Sequence, residues 1–234
     1  MAQTIGVKMN VSIIIAVLDS QEVCRRQLLH FGKMYLPWDV ELIIVDDGSE
    51  PPLKDYCKNI YEETKFIETN DKRDWSQPCA RNTGAEVARG KYLLFTDIDH
   101  ILTLEAINAV RAFDGDKIMF PRQWMVLTED GQTTQELQIL MDYGLAEPLI
   151  EHRYLEAGMH ANTFGIKKSI FEIMDGYDES FCGKYGGDDT NFAERYRQLH
   201  LEGIVKRHVM GPPIGVYPDP RKDVKNIFHN LRKK

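Results

Sequence analysis

The chain has 234 residues, of which 43% are hydrophobic and 28% are charged, which is typical of a soluble globular protein. This length allows one sizeable domain and argues against two independent ones. The net charge of −7 disfavours general affinity for nucleic acid, which depends on a positive electrostatic field. Four cysteines are scattered along the sequence without CxxC spacing, so neither a zinc site nor a disulfide framework is indicated.

The longest apolar stretch is Val11–Leu18, which only Ser12 interrupts. It is too short to span a bilayer, where about 20 residues are needed. It also begins too abruptly for a signal peptide, and no small-residue cleavage site follows it. We therefore expect a soluble, cytoplasmic protein without a transmembrane segment.

The first half of the chain alternates between strand and helix patterns. Apolar runs rich in Ile and Val predict strands that are buried on both faces of a parallel sheet, and these runs are Val11–Val17, Glu41–Val45 and Lys91–Phe95. Between them lie predicted helices at Gln21–Tyr35, Leu53–Tyr61 and Ala80–Ala88, and a short strand at Lys65–Glu68. This alternation predicts an α/β fold with a Rossmann-like, mainly parallel sheet flanked by helices.

The second half is less regular. Helices are predicted at Leu104–Phe113, Gln135–Tyr143, Ser169–Met174 and Asp188–His200. Strands are predicted at Lys117–Leu127 and Ala161–Lys167, with a polar turn at Thr128–Thr134 and a glycine-rich loop at Asp175–Gly187. Asp188 is placed as the cap of its helix, and the proline-rich stretch Met210–Pro220 is expected to be a loop or an edge. No linker divides the chain, so a single domain is expected.

Two acidic motifs follow predicted strands, at the sheet edge where ligands of such folds bind. In Asp97-Ile98-Asp99 the two carboxylates point the same way if the chain is extended, and together they suit a hard cation such as Mg²⁺ or Mn²⁺. The alternative is a solvated turn that caps a helix. In Asp46-Asp47-Gly48-Ser49 a carboxylate can accept a hydrogen bond from a nucleobase, while the alternative is a simple Asx-type turn.

Two further motifs carry charge at helix starts. Arg81, in the segment Ala80–Ala85, is placed to bind phosphate, and the alternative is a surface ion pair. Asp188 and Asp189 follow Gly186-Gly187, so they can enter a cleft, and one of them can accept the proton of an incoming hydroxyl. The alternative is N-capping of the helix.

Taken in order, these motifs resemble glycosyltransferase family 2 and its GT-A relatives. The resemblance rests on the strand Val11–Val17, the VDDGS turn, the ARNxG helix, the DxD motif and the late acid pair, and it covers residues 11–200. The segment Gly176-Tyr177-Asp178-Glu179 followed by Gly186-Gly187-Asp188-Asp189 also resembles a galactosyltransferase-type C-terminal region.

The resemblance implies a role for each matching residue. Asp47 would contact the base, uracil if the donor is a UDP-sugar, and Asp46 would support the turn as part of the same cofactor-binding motif. Arg81 would lie near the diphosphate or the donor sugar, and Asp97 and Asp99 would bind the diphosphate through Mn²⁺ or Mg²⁺. Two further residues are implied in catalysis, Asp189 as the general base and Asp188 as the holder of the acceptor hydroxyl.

The sequence departs from the family pattern at one metal ligand. Relatives often supply a His after the acid motif, and here the matching stretch is Val216-Tyr217-Pro218. His208 and His229 remain as candidates for the third ligand. Trp75, Trp124 and His160 are candidates to line the acceptor cleft, and the alternative is that they belong to the core.

The sequence thus predicts a metal-dependent, inverting glycosyltransferase with one GT-A domain over residues 1–234. Residues 11–100 form the predicted nucleotide-binding half, 101–220 the acceptor-binding half and 221–234 a basic tail. That tail is either a solvated helix or a contact for anionic lipid or another polyanion. The acceptor hydroxyl could belong to a glycan, a lipid-linked sugar, a protein or a modified nucleobase.

Two other functions compete with this prediction. A sugar nucleotidyltransferase shares a Rossmann-like core and an acidic metal site, but it should carry a glycine-rich loop after the first strand. Residues Val17–Glu22 contain no glycine. A non-catalytic, carbohydrate-binding member of the fold is the second alternative, and the retention of both acid pairs argues against it.

Overall fold

The structure is a computed structural model that describes residues 9–69, 71, 73–142 and 156–216. The strands are β1 (Val11–Val17), β2 (Val40–Asp46), β3 (Thr64–Glu68), β4 (Tyr92–Thr96), β5 (His100–Ile101), β6 (Lys117–Trp124), β7 (Val126–Leu127), β8 (Thr133–Thr134), β9 (Glu156–Lys167), β10 (Val209–Met210) and β11 (Ile214–Val216). The helices are α1 (Gln21–Met34), α2 (Leu53–Tyr56), α3 (Gln77–Val87), α4 (Leu104–Ala112), α5 (Leu137–Asp142), α6 (Lys168–Ile173) and α7 (Asp188–Leu201), with a 3₁₀ turn at Glu179–Phe181.

One large sheet runs through this part of the chain in the order β3-β2-β1-β4-β9-β6-β11-β5, and β10 pairs with β6. The half that holds β3, β2, β1 and β4 is parallel. Strand β9 runs antiparallel to both β4 and β6. The remaining two short strands, β7 and β8, form a separate hairpin.

The central strands are apolar because both faces of the sheet are covered. On one face, Ile13 and Ile15 pack with residues of α1, α2 and α4 in a single hydrophobic cluster. On the other face, Ile14 packs with residues of α3, α6 and α7. Helix α3 approaches the sheet closely at Gly84, where an added Cβ would lie 2.5 Å from Ile14 Cγ2. The α/β fold with a mainly parallel sheet in a single domain is therefore confirmed.

Several predicted boundaries were wrong. Helix α2 ends at Tyr56 rather than Tyr61, and the predicted strand Lys117–Leu127 is divided into β6 and β7. The stretch Met210–Pro220 was expected to be a loop or an edge, yet β11 lies inside the sheet between β6 and β5. Two prolines precede β11 rather than interrupt it, so its backbone N–H groups remain available for pairing.

Among the described helices, none combines the length and the apolar character that crossing a bilayer requires. The predicted basic tail at 221–234 lies outside the described residues.

Candidate active site at the carboxyl edge of the sheet

The turn after β2 is held together by its first acid. Asp46 accepts hydrogen bonds from the backbone N–H groups of Ser49 and Leu53, both at 2.8 Å. These bonds fix the turn and the start of α2, and they use both carboxylate oxygens. Asp46 therefore supports the turn, and its assignment as a cofactor-binding residue stays a prediction.

Asp47 points into a cleft beside this turn. Its carboxylate accepts hydrogen bonds from the hydroxyls of Thr69 at 2.7 Å and Ser76 at 2.8 Å. Burial raises the pKa of Asp47, and the two hydroxyl donors oppose that rise. The cleft is lined by Ala16, Val17, Leu18, Asp47, Trp75 and Gln77.

Trp75 was considered for the acceptor cleft, and the structure places it in this Asp47 cleft. Its ring meets that of Tyr185 edge-on, with 4.9 Å between the centroids. Tyr185 lies in the glycine-rich loop that leads to α7, and it is 55% exposed. An aromatic pair thus connects the wall of the cleft with the loop before the acid pair.

Asp97 is held by three donors. One of its oxygens accepts hydrogen bonds from Arg81 at 2.6 Å and Gln77 at 3.1 Å, and the other accepts from Asn162 at 2.8 Å. Burial opposes ionisation of Asp97, but the Arg81 guanidinium keeps its pKa below the ordinary value. Because Gln77 also lines the Asp47 cleft, the cleft and the DxD turn are adjacent.

Asp97, Asp99 and His100 form a group that could hold a metal ion, with ligand atoms within 4.8 Å of one another. Two carboxylates and one imidazole form a donor set that suits Mn²⁺ and related cations. Burial raises the pKa of Asp99, and the charge of Asp97 adds to that rise. A bound cation would offset the cost of keeping both carboxylates ionised side by side.

A hydrogen bond to Thr163 holds the ring of His100. Its Nδ1 lies 2.5 Å from the Thr163 hydroxyl, which in turn lies 3.1 Å from the Thr96 hydroxyl. Burial lowers the pKa of His100 against the attraction of the two aspartates, so the ring is neutral near pH 7. A neutral imidazole held by a hydrogen bond at its other nitrogen is the usual arrangement of a metal ligand.

The turn that carries these residues is fixed from behind by α1. The side-chain amide of Gln27 donates to the backbone carbonyls of Ile98 at 3.0 Å and His100 at 2.8 Å. Gln27 is fully buried, so these two bonds replace water that the turn would otherwise need.

Arg81 connects the DxD turn with the acid pair. It is 1% exposed, and its guanidinium bonds Asp97 while lying 3.8 Å from a carboxylate oxygen of Asp188. It also lies over the ring of Tyr177, 5.0 Å from the centroid. The suggestion of a surface ion pair is therefore wrong, because the pair is buried in the centre of the site.

The two acids at the start of α7 differ in environment. Asp188 is 5% exposed, and burial raises its pKa against the attraction of Arg81. Asp189 is more accessible, and its carboxylate accepts a hydrogen bond from the Thr190 N–H at 2.7 Å. The expected capping role of Asp188 was wrong, because Gly187 is the N-cap residue, with φ of 92°.

The remaining candidates fall in different places. His160 lies beside the metal-binding group, 5.9 Å from His100 between ring centroids. Trp124 packs against the small hydrophobic cluster around Val126. His208 is outside the Asp97–Asp99–His100 group, and His229 lies outside the described residues. The sequence analysis missed His100, although it directly follows the DxD motif.

Residues 12–119 match the family model described as "Glycosyltransferase like family 2". No curated protein matches the chain in sequence.

Solved structures with a similar fold extend the comparison over most of the chain. The 1–349 fragment of TarS from S. aureus has a TM-score of 0.59 at 16% identity, covering 89% of this chain and 60% of the fragment. The complex of the same fragment with UDP-GlcNAc has a TM-score of 0.60 at 16% identity, and the match covers 89% of this chain and 58% of the fragment. A third similar structure is the mannosyltransferase PcManGT from Pyrobaculum calidifontis in complex with GDP-Man and Mn²⁺. Its TM-score is 0.60 at 16% identity, and the match covers 90% of this chain and 57% of PcManGT.

The similar structures confirm the predicted GT-A fold, and the family model confirms the resemblance to family 2 glycosyltransferases over residues 12–119. The chain spans 60% of the TarS fragment and 57% of PcManGT. The galactosyltransferase-type resemblance of the C-terminal region stays a prediction.

Proposed function

We propose that this chain is a metal-dependent, inverting glycosyltransferase that moves a sugar from a nucleotide-sugar, with UDP as the expected nucleotide, to an acceptor hydroxyl. The observation that carries the proposal is a continuous chain of contacts. Gln77 lines the Asp47 cleft and bonds Asp97, and Arg81 joins Asp97 to Asp188. The Asp47 cleft, the candidate metal group and the acid pair of α7 are therefore neighbours, which supports the proposal.

The donor base is proposed to bind in the cleft beside Asp47. The carboxylate already accepts two hydroxyl hydrogen bonds, and a carboxylate has about four lone-pair sites in total. The sites that remain suit the N–H group of a uracil. PcManGT was solved with GDP-Man and TarS with UDP-GlcNAc. A binding test of UDP-sugars should therefore include GDP-sugars for comparison.

The metal is proposed to bind Asp97, Asp99 and His100. Three donors already contact the Asp97 carboxylate, so Asp99 is the less committed of the two carboxylates among the described residues. When bound, a divalent cation would supply positive charge for the donor diphosphate. The structural support is the close approach of the three ligand atoms and the Thr163 contact that orients the imidazole.

Asp189 is proposed as the general base. Its carboxylate would take the proton of the acceptor hydroxyl as that oxygen bonds to the anomeric carbon. The bond between this carbon and the diphosphate oxygen would break, and its electron pair would leave with the nucleoside diphosphate. Such a single displacement inverts the configuration. The N-terminus of α7 stabilises negative charge, and Asp189 is the more accessible acid of the pair.

Asp188 is proposed to orient this end of α7 and to hold the acceptor hydroxyl through its remaining oxygen. Its charge faces the buried Arg81, which ties the start of α7 to the DxD turn. The proposed acceptor is a hydroxyl group of a glycan, a lipid-linked sugar, a protein or a modified nucleobase.

A nucleotide-sugar panel tests the proposal. We expect UDP-sugars, added with Mn²⁺, to raise the melting temperature of the wild-type chain and to release UDP when an acceptor is present. The Asp99→Ala variant should lose the Mn²⁺-dependent part of this shift. A shift that is equal with and without Mn²⁺ would contradict the metal assignment.

The same panel, extended with nucleoside triphosphates and sugar phosphates, separates the alternative functions. A sugar nucleotidyltransferase would consume a nucleoside triphosphate and a sugar phosphate and release pyrophosphate. A non-catalytic member of the fold would bind a nucleotide-sugar or a glycan without releasing nucleotide. Either result would replace the proposed transfer reaction.

A further inference from the structure

Arg122 on β6 contacts the candidate metal centre, although no sequence motif includes it. Its Nη1 lies 3.2 Å from Nε2 of His100. Burial lowers the pKa of Arg122, and the charges of Asp99 and Asp97 oppose that shift. The guanidinium thus lies within electrostatic reach of all three members of the metal-binding group.

The hydrogen bond to Arg122 fixes the tautomer of His100. A guanidinium can only donate, so Nε2 must be the nitrogen with the free electron pair. The proton of the neutral ring is then on Nδ1, where the Thr163 hydroxyl accepts it. A neutral imidazole has one such electron pair in its plane, and here it already has a partner.

Metal binding and the Arg122 contact exclude each other through either ring nitrogen. A cation on Nε2 would use the electron pair to which Arg122 donates. A cation on Nδ1 would require the proton to move to Nε2, which would place an N–H group against the N–H donor of Arg122. Repulsion between a divalent cation and the guanidinium acts in the same direction.

We propose that Arg122 and a divalent cation are alternative partners of His100, so that metal binding displaces the guanidinium from the ring. This inference rests on the proposed function, because it takes Asp97, Asp99 and His100 as the metal centre. Before metal binds, Arg122 provides positive charge beside the two carboxylates, whose burial without compensation would be costly. Arg122 therefore sets the affinity of the centre by competition.

Substitution of Arg122 distinguishes competition with the metal from support of a metal ligand. Removal of a group that supports a metal ligand weakens binding, whereas removal of a competitor strengthens it. We expect Arg122→Gln to bind Mn²⁺ about tenfold more tightly than wild type, or more, because the guanidinium no longer competes with the cation for the electron pair of His100. Arg122→Met should show the same gain, which guards against an effect specific to the amide.

Binding of Mn²⁺ to the full chain, without nucleotide, is measured from the loss of the free Mn²⁺ signal in electron paramagnetic resonance. The control is Arg197→Gln, which removes an arginine from an exposed ion pair with Glu194 on α7 and should leave the affinity unchanged. The gain from Arg122→Gln should fall to less than about threefold in a His100→Ala background, because the two residues act through one contact.

Three results would overturn the inference. The first is equal or weaker Mn²⁺ binding by both Arg122 variants. The second is a gain that is just as large in the His100→Ala background, since Arg122 would then act through its charge alone. The third is equal binding by wild type and Asp99→Ala, which would remove the metal centre of the proposed function and this inference with it.

Discussion

Replacement of Arg81 by methionine probes how the two acidic motifs are held together. Arg81 is 1% exposed, and its guanidinium compensates the carboxylates of Asp97 and Asp188. Removal of one partner from a buried ion pair costs about 3–5 kcal/mol, because a charge remains buried without compensation. We expect Arg81→Met to lower the free energy of unfolding near pH 7 by this amount.

The loss should depend on pH. Arg81 holds the pKa of Asp97 below the ordinary value of 3.8, so the wild type keeps this stabilisation above that pH and loses it only in stronger acid. Without Arg81, burial would raise the pKa of both acids, and protonation would remove the unpaired charges earlier. The difference between variant and wild type should therefore be largest near neutrality and narrow toward about pH 4.

Urea unfolding followed by circular dichroism measures this difference at both pH values. The control is Arg197→Met, which breaks an exposed ion pair and should cost less than about 1 kcal/mol. A loss for Arg81→Met as small as that of the control, or a loss that is the same at both pH values, would refute the account of Arg81 as a buried link between the motifs.

Two other substitutions test separate parts of the structure. Lys117 is 3% exposed, and burial lowers its pKa from 10.5 to about 8, so its charge destabilises the fold below about pH 8 and this cost disappears as pH rises toward 10.5. Its amine also lies 4.4 Å from the centroid of the Phe164 ring, and this cation–π contact offsets part of the cost. We therefore expect urea unfolding to show that Lys117→Met is more stable than wild type near pH 7 by about 1–3 kcal/mol. A less stable variant would contradict this prediction. Gln27→Met removes the amide that orients the Asp97–His100 turn and should weaken Mn²⁺ binding about 10- to 100-fold in titrations read by paramagnetic resonance, whereas an unchanged affinity would show that the turn needs no such support.

The parallel half of the fold could be predicted because its signals are local. Strands β1 and β2 are continuous apolar runs, and helix α1 begins at the predicted residue, Gln21. The DxD turn follows directly after β4, so its position at the ligand edge follows from the chain order. These predictions needed no knowledge of which distant residues meet.

The parts that could not be predicted depend on pairing between distant segments. Strand β11 belongs to the sheet because it pairs with β6 on one side and β5 on the other. It consists of three residues in a proline-rich stretch, and such a short segment has no sequence pattern that predicts a strand. Arg81 meets Asp188 across 107 positions of sequence. His100 was not predicted because adjacency in sequence does not show where a side chain points, and only the structure places its ring against Thr163 and beside the two aspartates.

The most direct test of the central claim is sugar transfer by Asp189→Asn with the donor and acceptor that wild type accepts. Loss of a general base lowers turnover by about 10²- to 10⁴-fold, and donor affinity should stay within about threefold of wild type because Asp189 acts on the acceptor. Glu194→Gln, an acid-to-amide change at an exposed position of α7, is the matched control and should keep full activity. Unchanged nucleotide release by Asp189→Asn would contradict the proposed mechanism.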